Sequence, residues 1–261
     1  MFNYSLKIEN HINNCLYEHY RELIKKVPQE RVLGIFAIGS MNYGLYQEGI
    51  SDVDTKAIII PSWNEILNNG YVSNTISHFT LDSGICSIKD IRSFIKELNK
   101  SNMNSYELLF TPFCYINPTY QKYWDQIANN ETREQIAYND IKTLLSTNIA
   151  TIKEHLNSKK ITSKKYSLAV RLIYASVKII NNDSFIKCLW QEDIRNELIR
   201  IKQSNIFENN ANIFIHSYDG TIELINSYIN TLPNISQDNE ITKMLINWEK
   251  TIILNQLKGE I

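Results

Sequence analysis

The sequence predicts an α+β protein: a small mixed-sheet domain followed by an all-α C-terminal subdomain. Three observations predict it. Two apolar, β-branched runs, Val32–Ile38 and Thr55–Ile60, are stopped by Gly39 and Pro61, the pattern of buried strands. Gly39-Ser40 and Asp52-x-Asp54 punctuate the chain between them. From about residue 118 the apolar residues recur only at helical spacing, which marks a second subdomain. The expected division is residues 1–125 and 126–261.

Taken in order, Ile8, Ile12, Leu16, Tyr20, Leu23, Ile24 and Val27 predict an amphipathic helix over 8–27, ended by Pro28. The first strand is Val32–Ile38, and Gly39–Tyr46 forms a turn with a short helix. The second strand is Thr55–Ile60. Residues 63–77 are mixed and polar and read as a variable excursion. His78–Ile85 alternates weakly and reads as a third strand. Ile88, Ile91, Phe94, Ile95 and Leu98 predict a helix over 87–100. Helices are then expected at 118–128, 133–157, 164–181, 190–203, 219–231 and 239–258. Leu168, Leu172, Ala175 and Ile179 give the 164–181 helix its core stripe.

Composition limits the function classes. The chain has 261 residues, 43% hydrophobic and 21% charged, as ordinary globular proteins are. A net charge of −1 supplies no global field for nucleic acid, though a local basic groove is compatible with it. No apolar run is long enough to span a membrane. Met1–Asn14 lacks an apolar signal core, so cytoplasmic residence is the expectation. Cys15, Cys86, Cys114 and Cys188 lack Cys-x-x-Cys spacing and read as free thiols. The five histidines show no pairing suited to zinc.

The chemistry concentrates between residues 39 and 56. On a strand, residues i and i+2 share a face, so Asp52 and Asp54 project together at the entry to the second strand. Adjacent carboxylates repel and need a cation. Oxygen ligands favour a hard one such as Mg²⁺. Gly39 lets backbone N–H groups approach a phosphate, and a short helix after it adds its positive end. Ser40 offers a hydroxyl to the same phosphate. The pattern suits a metal-bound nucleoside triphosphate. The competing reading is a strand-to-helix turn with a solvated acidic loop.

Gly39-Ser40 followed by Asp52-x-Asp54 resembles the signature of the nucleotidyltransferase superfamily typified by DNA polymerase β. More narrowly, Gly39-Ser40-x-x-Tyr43-Gly44-Leu45 with Ser51-Asp52-x-Asp54 resembles a family of bacterial and phage nucleotidyltransferases associated with RNA repair. Asn42 stands where that family usually has Ala. Asn102–Phe110 resembles the family's Asn-Pro-Asn-x-x-Glu-Leu segment, with Met103 replacing the Pro. Lys164 and Arg171-Leu172 resemble its Lys-x₆-Arg-Leu helix, with Leu168 where many members have His.

The resemblance implies a nucleotidyltransferase domain that moves NMP from an NTP to an acceptor hydroxyl with two Mg²⁺ ions. Asp52 and Asp54 would hold one ion on the triphosphate. The family carries a third carboxylate on a neighbouring strand, followed by an Ile/Leu-Lys/Arg pair opening a helix. Asp82 stands in that relation to Ile88-Lys89. Asp54 and Asp82 would share the second ion, which lowers the pKa of the attacking hydroxyl. Gly39 and Ser40 would hold the β and γ phosphates, and Lys56, Lys164 and Arg171 would contact the nucleotide. Plainer readings stand beside these. Asp82 is also a turn residue next to Gly84, and Lys56 a partner for Asp54. Lys164 and Arg171, two helical turns apart, also suit a solvated face. Glu107 suits a site-orienting acid, a surface acid or a cap near Asn104.

Three functions compete: transfer to an RNA 3′ end, transfer to a small molecule or protein hydroxyl, and nucleotide binding without catalysis. The near-neutral charge favours short acceptors. Lys159-Lys160 and Lys164-Lys165 keep RNA in view.

Overall fold

The computed structural model describes residues 4–68, 77–157, 161–204, 216–235 and 239–259. The fold is mixed α+β. The chain divides into two compact units, one of residues 1–42, 46–139 and 236–261, the other of residues 43–45 and 140–235.

The first unit holds a five-stranded mixed sheet. Its strands are β1 (Val32–Ala37), β2 (Thr55–Ile59), β3 (Ser77–Leu81), β4 (Gly84–Asp90) and β5 (Cys114–Ile116), in the order β3-β4-β2-β1-β5. β2 and β4 are parallel and the other pairs antiparallel. Strand alternation divides the side chains between two faces. Ile35, Ala37, Val53, Ala57, Ile59, Cys86 and Ile88 form one core with Ile12, Cys15, Leu16, Tyr20 and Leu23 of helix α1 (Leu6–Leu23). On the opposite face Phe36 meets the Trp124 ring at 4.7 Å, and Phe94 lies 6.2 Å from the same ring. Phe94 comes from α3 (Ile91–Leu98) and Trp124 from α5 (Gln121–Ala128), with α4 (Met103–Phe110) between them in sequence.

Several expected elements change. The helix expected over 87–100 begins only at Ile91, because residues 84–90 form a strand, of which 86–90 pair with β2. Asp90 caps that helix, accepting the Arg92 N–H at 2.7 Å. The single strand expected at 78–85 is a hairpin, β3 and β4, joined at Asp82-Ser83. β5 is too short to leave a sequence signature. Within the polar excursion, Trp63–Asn68 is a helix, α2, and residues 69–76 lie outside the described ones.

The division also differs from the expected 1–125 and 126–261. The first unit runs through α6 (Asn130–Ala137) and regains the C-terminal helix α12 (Glu240–Lys258). Side-chain hydrogen bonds hold α12 there. Trp248 Nε1 donates to the Tyr123 carbonyl at 2.7 Å, and Asn255 Nδ2 donates to the Tyr123 hydroxyl at 2.8 Å. Helical periodicity reports an apolar stripe, not the partner that covers it.

α12 also carries a charge that burial opposes. Burial, and then the neighbouring Asp90, raise the Glu249 pKa to about 7, against smaller opposing effects of Arg92 and Lys250. A carboxyl whose folded pKa is raised costs nothing below its unfolded value near 4.5. Its cost grows as pH rises toward 7 and is complete above it. The ceiling is roughly 3 kcal/mol. Glu249→Gln is therefore expected to raise the melting temperature at pH 8 and leave it unchanged at pH 4.5. Equal effects at both pH values in thermal melts would remove this account.

The second unit is helical throughout its described residues. It contains α7 (Ile141–Leu156), α8 (Ser163–Ile180), α9 (Phe185–Leu189), α10 (Arg195–Gln203) and α11 (Asp219–Thr231). The helix expected over 133–157 is interrupted at Tyr138–Asp140, where the Asp140 carboxylate accepts the Thr143 N–H at 3.0 Å and starts α7. No described helix is long and apolar enough to cross a membrane.

Candidate functional site

The Gly-Ser turn and the acidic strand entry meet through backbone pairing. Beyond the end of β1, the Ile38 N–H still donates to the Asp54 carbonyl at 3.0 Å. Gly39 then takes φ +82°, and a β-carbon built there would meet nothing within 4 Å. Glycine is needed for the backbone angle, and the space above it is open. Asn42 fixes the short 3₁₀ turn that follows, its side-chain amide donating to the Ala37 carbonyl at 2.9 Å. Tyr4 reaches the same turn, its hydroxyl donating to the Met41 carbonyl at 3.1 Å. Ser40 is half-buried beside Gly39.

Asp52 is exposed, Val53 buried and Asp54 half-buried, the alternation expected at a strand entry. Val53 turns into the core with α1, so the two carboxylates stand on the opposite side. The β3–β4 hairpin grips this segment. The Val53 N–H donates to the Ser83 carbonyl at 2.7 Å, and the Ile85 N–H donates to Asp54 Oδ1 at 2.9 Å. Asp54 is thereby oriented with one oxygen committed to the backbone.

His19 anchors the same hairpin from below. Fully buried on α1, it bridges Thr55 Oγ1 at 2.7 Å and Ser83 Oγ at 2.9 Å. Burial lowers its pKa, with Asp54 and Glu18 opposing more weakly. A neutral imidazole suits two hydroxyl partners. The sequence left this residue without a role. A histidine among the apolar positions of α1 was the available signal.

Lys56 shares the carboxylates' face, as its spacing implies, but it is not a direct partner of Asp54. It is 9% exposed, and among the described residues its ammonium makes no hydrogen bond and no ion pair. Burial lowers its pKa, followed by the like charge of Lys89, while Glu107 and Glu97 oppose. Glu97 is engaged by Lys89 and by the Ser105 hydroxyl. Glu107, whose role the sequence left open, is 2% exposed, and its carboxylate accepts the Gly39 N–H at 3.3 Å. It is neither a surface acid nor a cap. It ties α4 to the glycine turn.

Asp82 lies exposed in the hairpin turn, not on a strand. Register fixes what stands on the strand instead. Thr55 pairs with Cys86 and Lys56 with Ser87, so the β4 positions on the face of Asp54 and Lys56 are Ile85 and Ser87. Among the described residues no group of three or more His, Cys, Asp or Glu side chains is gathered as a metal cluster.

Arg171 and Lys164 belong to α8 in the second unit, where they part company. Lys164 is exposed in the first turn, whereas Arg171 is 3% exposed. The Arg171 guanidinium carbon lies 3.7 Å from the centroid of the Tyr43 ring, a cation–π stack. Its Nε and Nη1 are buried without a hydrogen-bond partner. Gly44 follows at φ +74°, and a β-carbon there would lie 3.2 Å from the Trp190 ring. The Tyr-Gly-Leu stretch is thus a docking strap within this unit. Lys159-Lys160 lies outside the described residues.

A buried guanidinium cannot shed its charge, and the Tyr43 ring compensates it in part. Arg171→Met is expected to leave the melting temperature unchanged or higher, by up to about 2 kcal/mol in stability, as thermal melts would show. A melt that collapses would make Arg171 a structural residue.

Compared with protein-family models, curated proteins and solved structures, the chain matches none. Its functional reading therefore rests on its own residues.

Proposed function

We propose that this protein is a nucleotidyltransferase that binds a nucleoside triphosphate through Mg²⁺ at Asp52 and Asp54 and transfers NMP to an acceptor hydroxyl, first among them an RNA 3′ end. One observation carries the reading: Lys56, nine-tenths buried and without a hydrogen bond among the described residues, follows Asp52 and Asp54 in the alternation that turns all three away from the α1 core, beside an open glycine turn. The Lys56 ammonium is desolvated and crowded by Lys89, and although Glu107 and Glu97 act on it neither hydrogen-bonds to it, so an arriving anion would stabilise it. Carboxylates that face the same way are costly unless a cation reaches them. A metal-bound polyphosphate answers both.

In this reading Asp52 and the free oxygen of Asp54 hold the ion on the phosphates. Bound there, Mg²⁺ would draw charge from the phosphoryl oxygens. The Gly39–Ser40 turn and Lys56 hold the phosphates, and Glu107 keeps the turn in place. Asp82 has a role only if the hairpin turn carries it toward the ion. Catalysis would come chiefly from positioning and charge stabilisation.

A second reading, nucleotide binding without transfer, is favoured by the apolar Ile85 beside Asp54. The test is incubation with each α-labelled NTP and Mg²⁺, against a small-RNA pool and against the protein alone. Label on RNA supports the first reading and names the base. Label on the protein redirects it to a protein hydroxyl. Binding without label anywhere supports the second.

A further inference from the structure

We infer that the Asp52–Asp54 site takes one divalent cation per chain, the one carried on the nucleotide's phosphates, and that Ile85 stands where a second cation's carboxylate would have to be. This rests on the metal–nucleotide reading of Asp52 and Asp54, and it departs from the two-ion expectation.

The argument is one of register. Two cations about 3.5–4 Å apart need carboxylates on both sides of the pair, one of them bridging. Of the two acids Asp54 is the one placed to bridge, since Asp52 is two residues nearer solvent at the strand entry. A carboxylate on the far side of Asp54 must come from β4, the strand paired with β2. Parallel pairing sets Thr55 beside Cys86 and Lys56 beside Ser87, so Asp54 has Ile85 beside it on the same face. The Ile85 side chain is 46% exposed and offers no ligand. Its N–H meanwhile donates to Asp54 Oδ1 at 2.9 Å and takes up part of that carboxylate's acceptor capacity. One pleat further along, Ser87 donates its hydroxyl to the Thr55 carbonyl at 3.4 Å. The acid next along the chain, Asp82, sits in the turn before β4. Continuing the strand back to it would point it to the α1 face, with Cys86 and Ile88.

The chemical consequence is specific. One cation suffices to bind and orient a triphosphate. Activation of an acceptor hydroxyl must then come from a group other than a second metal.

The deciding experiment counts Mn²⁺ by electron paramagnetic resonance on full-length protein with a non-hydrolysable α,β-methylene ATP. One Mn²⁺ per chain is expected. Ile85→Asp is expected to raise the count to two, and Ser87→Asp, a separate variant on the same face, guards against misfolding of the first. Circular dichroism melts confirm that each is folded. Two Mn²⁺ on the unaltered chain overturn the inference, as does a folded Ile85→Asp and a folded Ser87→Asp that both still bind one. No Mn²⁺ at all, with or without nucleotide, overturns the underlying metal reading instead.

Discussion

Asp54→Asn is expected to lower Mg²⁺-dependent transfer by roughly 10³-fold while moving the melting temperature by no more than about 2 °C. The geometry separates the two effects. The Asn side chain keeps an oxygen for the Ile85 N–H, now 2.9 Å from Asp54 Oδ1, so the hairpin stays docked. The Asp54 carbonyl, which accepts the Ile38 N–H, is untouched. What disappears is the negative charge, and with it the attraction for the cation. Asp52→Asn acts the same way with less risk to the fold, since that side chain is exposed. Nucleotide-dependent label transfer, measured beside a melt, checks both. Retained transfer in either variant would end the metal assignment. If the unaltered chain transfers nothing, Mn²⁺ affinity is the readout, and a large loss is expected in both variants.

Gly84→Ala is expected to be among the most damaging changes of a single methyl group. Gly84 adopts φ +150°, and an added β-carbon would lie 2.5 Å from the Val53 carbonyl oxygen and 2.7 Å from its carbon. Those neighbours are backbone and cannot rotate aside. Either the hairpin lifts from β2 or the Asp52–Asp54 segment is pushed out. The combined clash and backbone strain cost roughly 3 kcal/mol, several degrees of melting temperature in a chain of this size. The same β-carbon would lie 3.2 Å from the Asp54 nitrogen, so cation affinity falls along with stability. Chemical denaturation paired with Mn²⁺ titration checks this. A stable Gly84→Ala protein with full cation affinity would show that the hairpin does not position the acids. Gly39→Ala offers a contrast: the space there is open, so only the backbone angle is strained.

Much of this was written locally. Strands β1 and β2, the glycine turn and the facing of Asp52, Asp54 and Lys56 follow from runs of β-branched residues and a period of two. The helices of the second unit follow from their apolar periodicity, with Ser163–Ile180 and Asp219–Thr231 within a residue of expectation. Glycine and the alternation of side chains act over a few residues, so a linear reading captures them.

Tertiary structure decided the rest, because it turns on pairing between distant segments. Ile88 and Phe94 fit one helical stripe in sequence, yet hydrogen bonds to β2 draw residues 84–90 into the sheet. That one exchange moves Asp82 into a turn and sets Ile85 beside Asp54. Arg171 and Lys164 lie on one helical face, yet Arg171 is buried and stacks on Tyr43, 128 positions earlier, while Lys164 stays in solvent. Glu107 reaches Gly39 across 68 residues. Sequence determined which residues have the chemistry to meet a phosphate and a metal. The sheet register determined which of them stand side by side, because strand neighbours are chosen by backbone hydrogen bonds that no local pattern encodes.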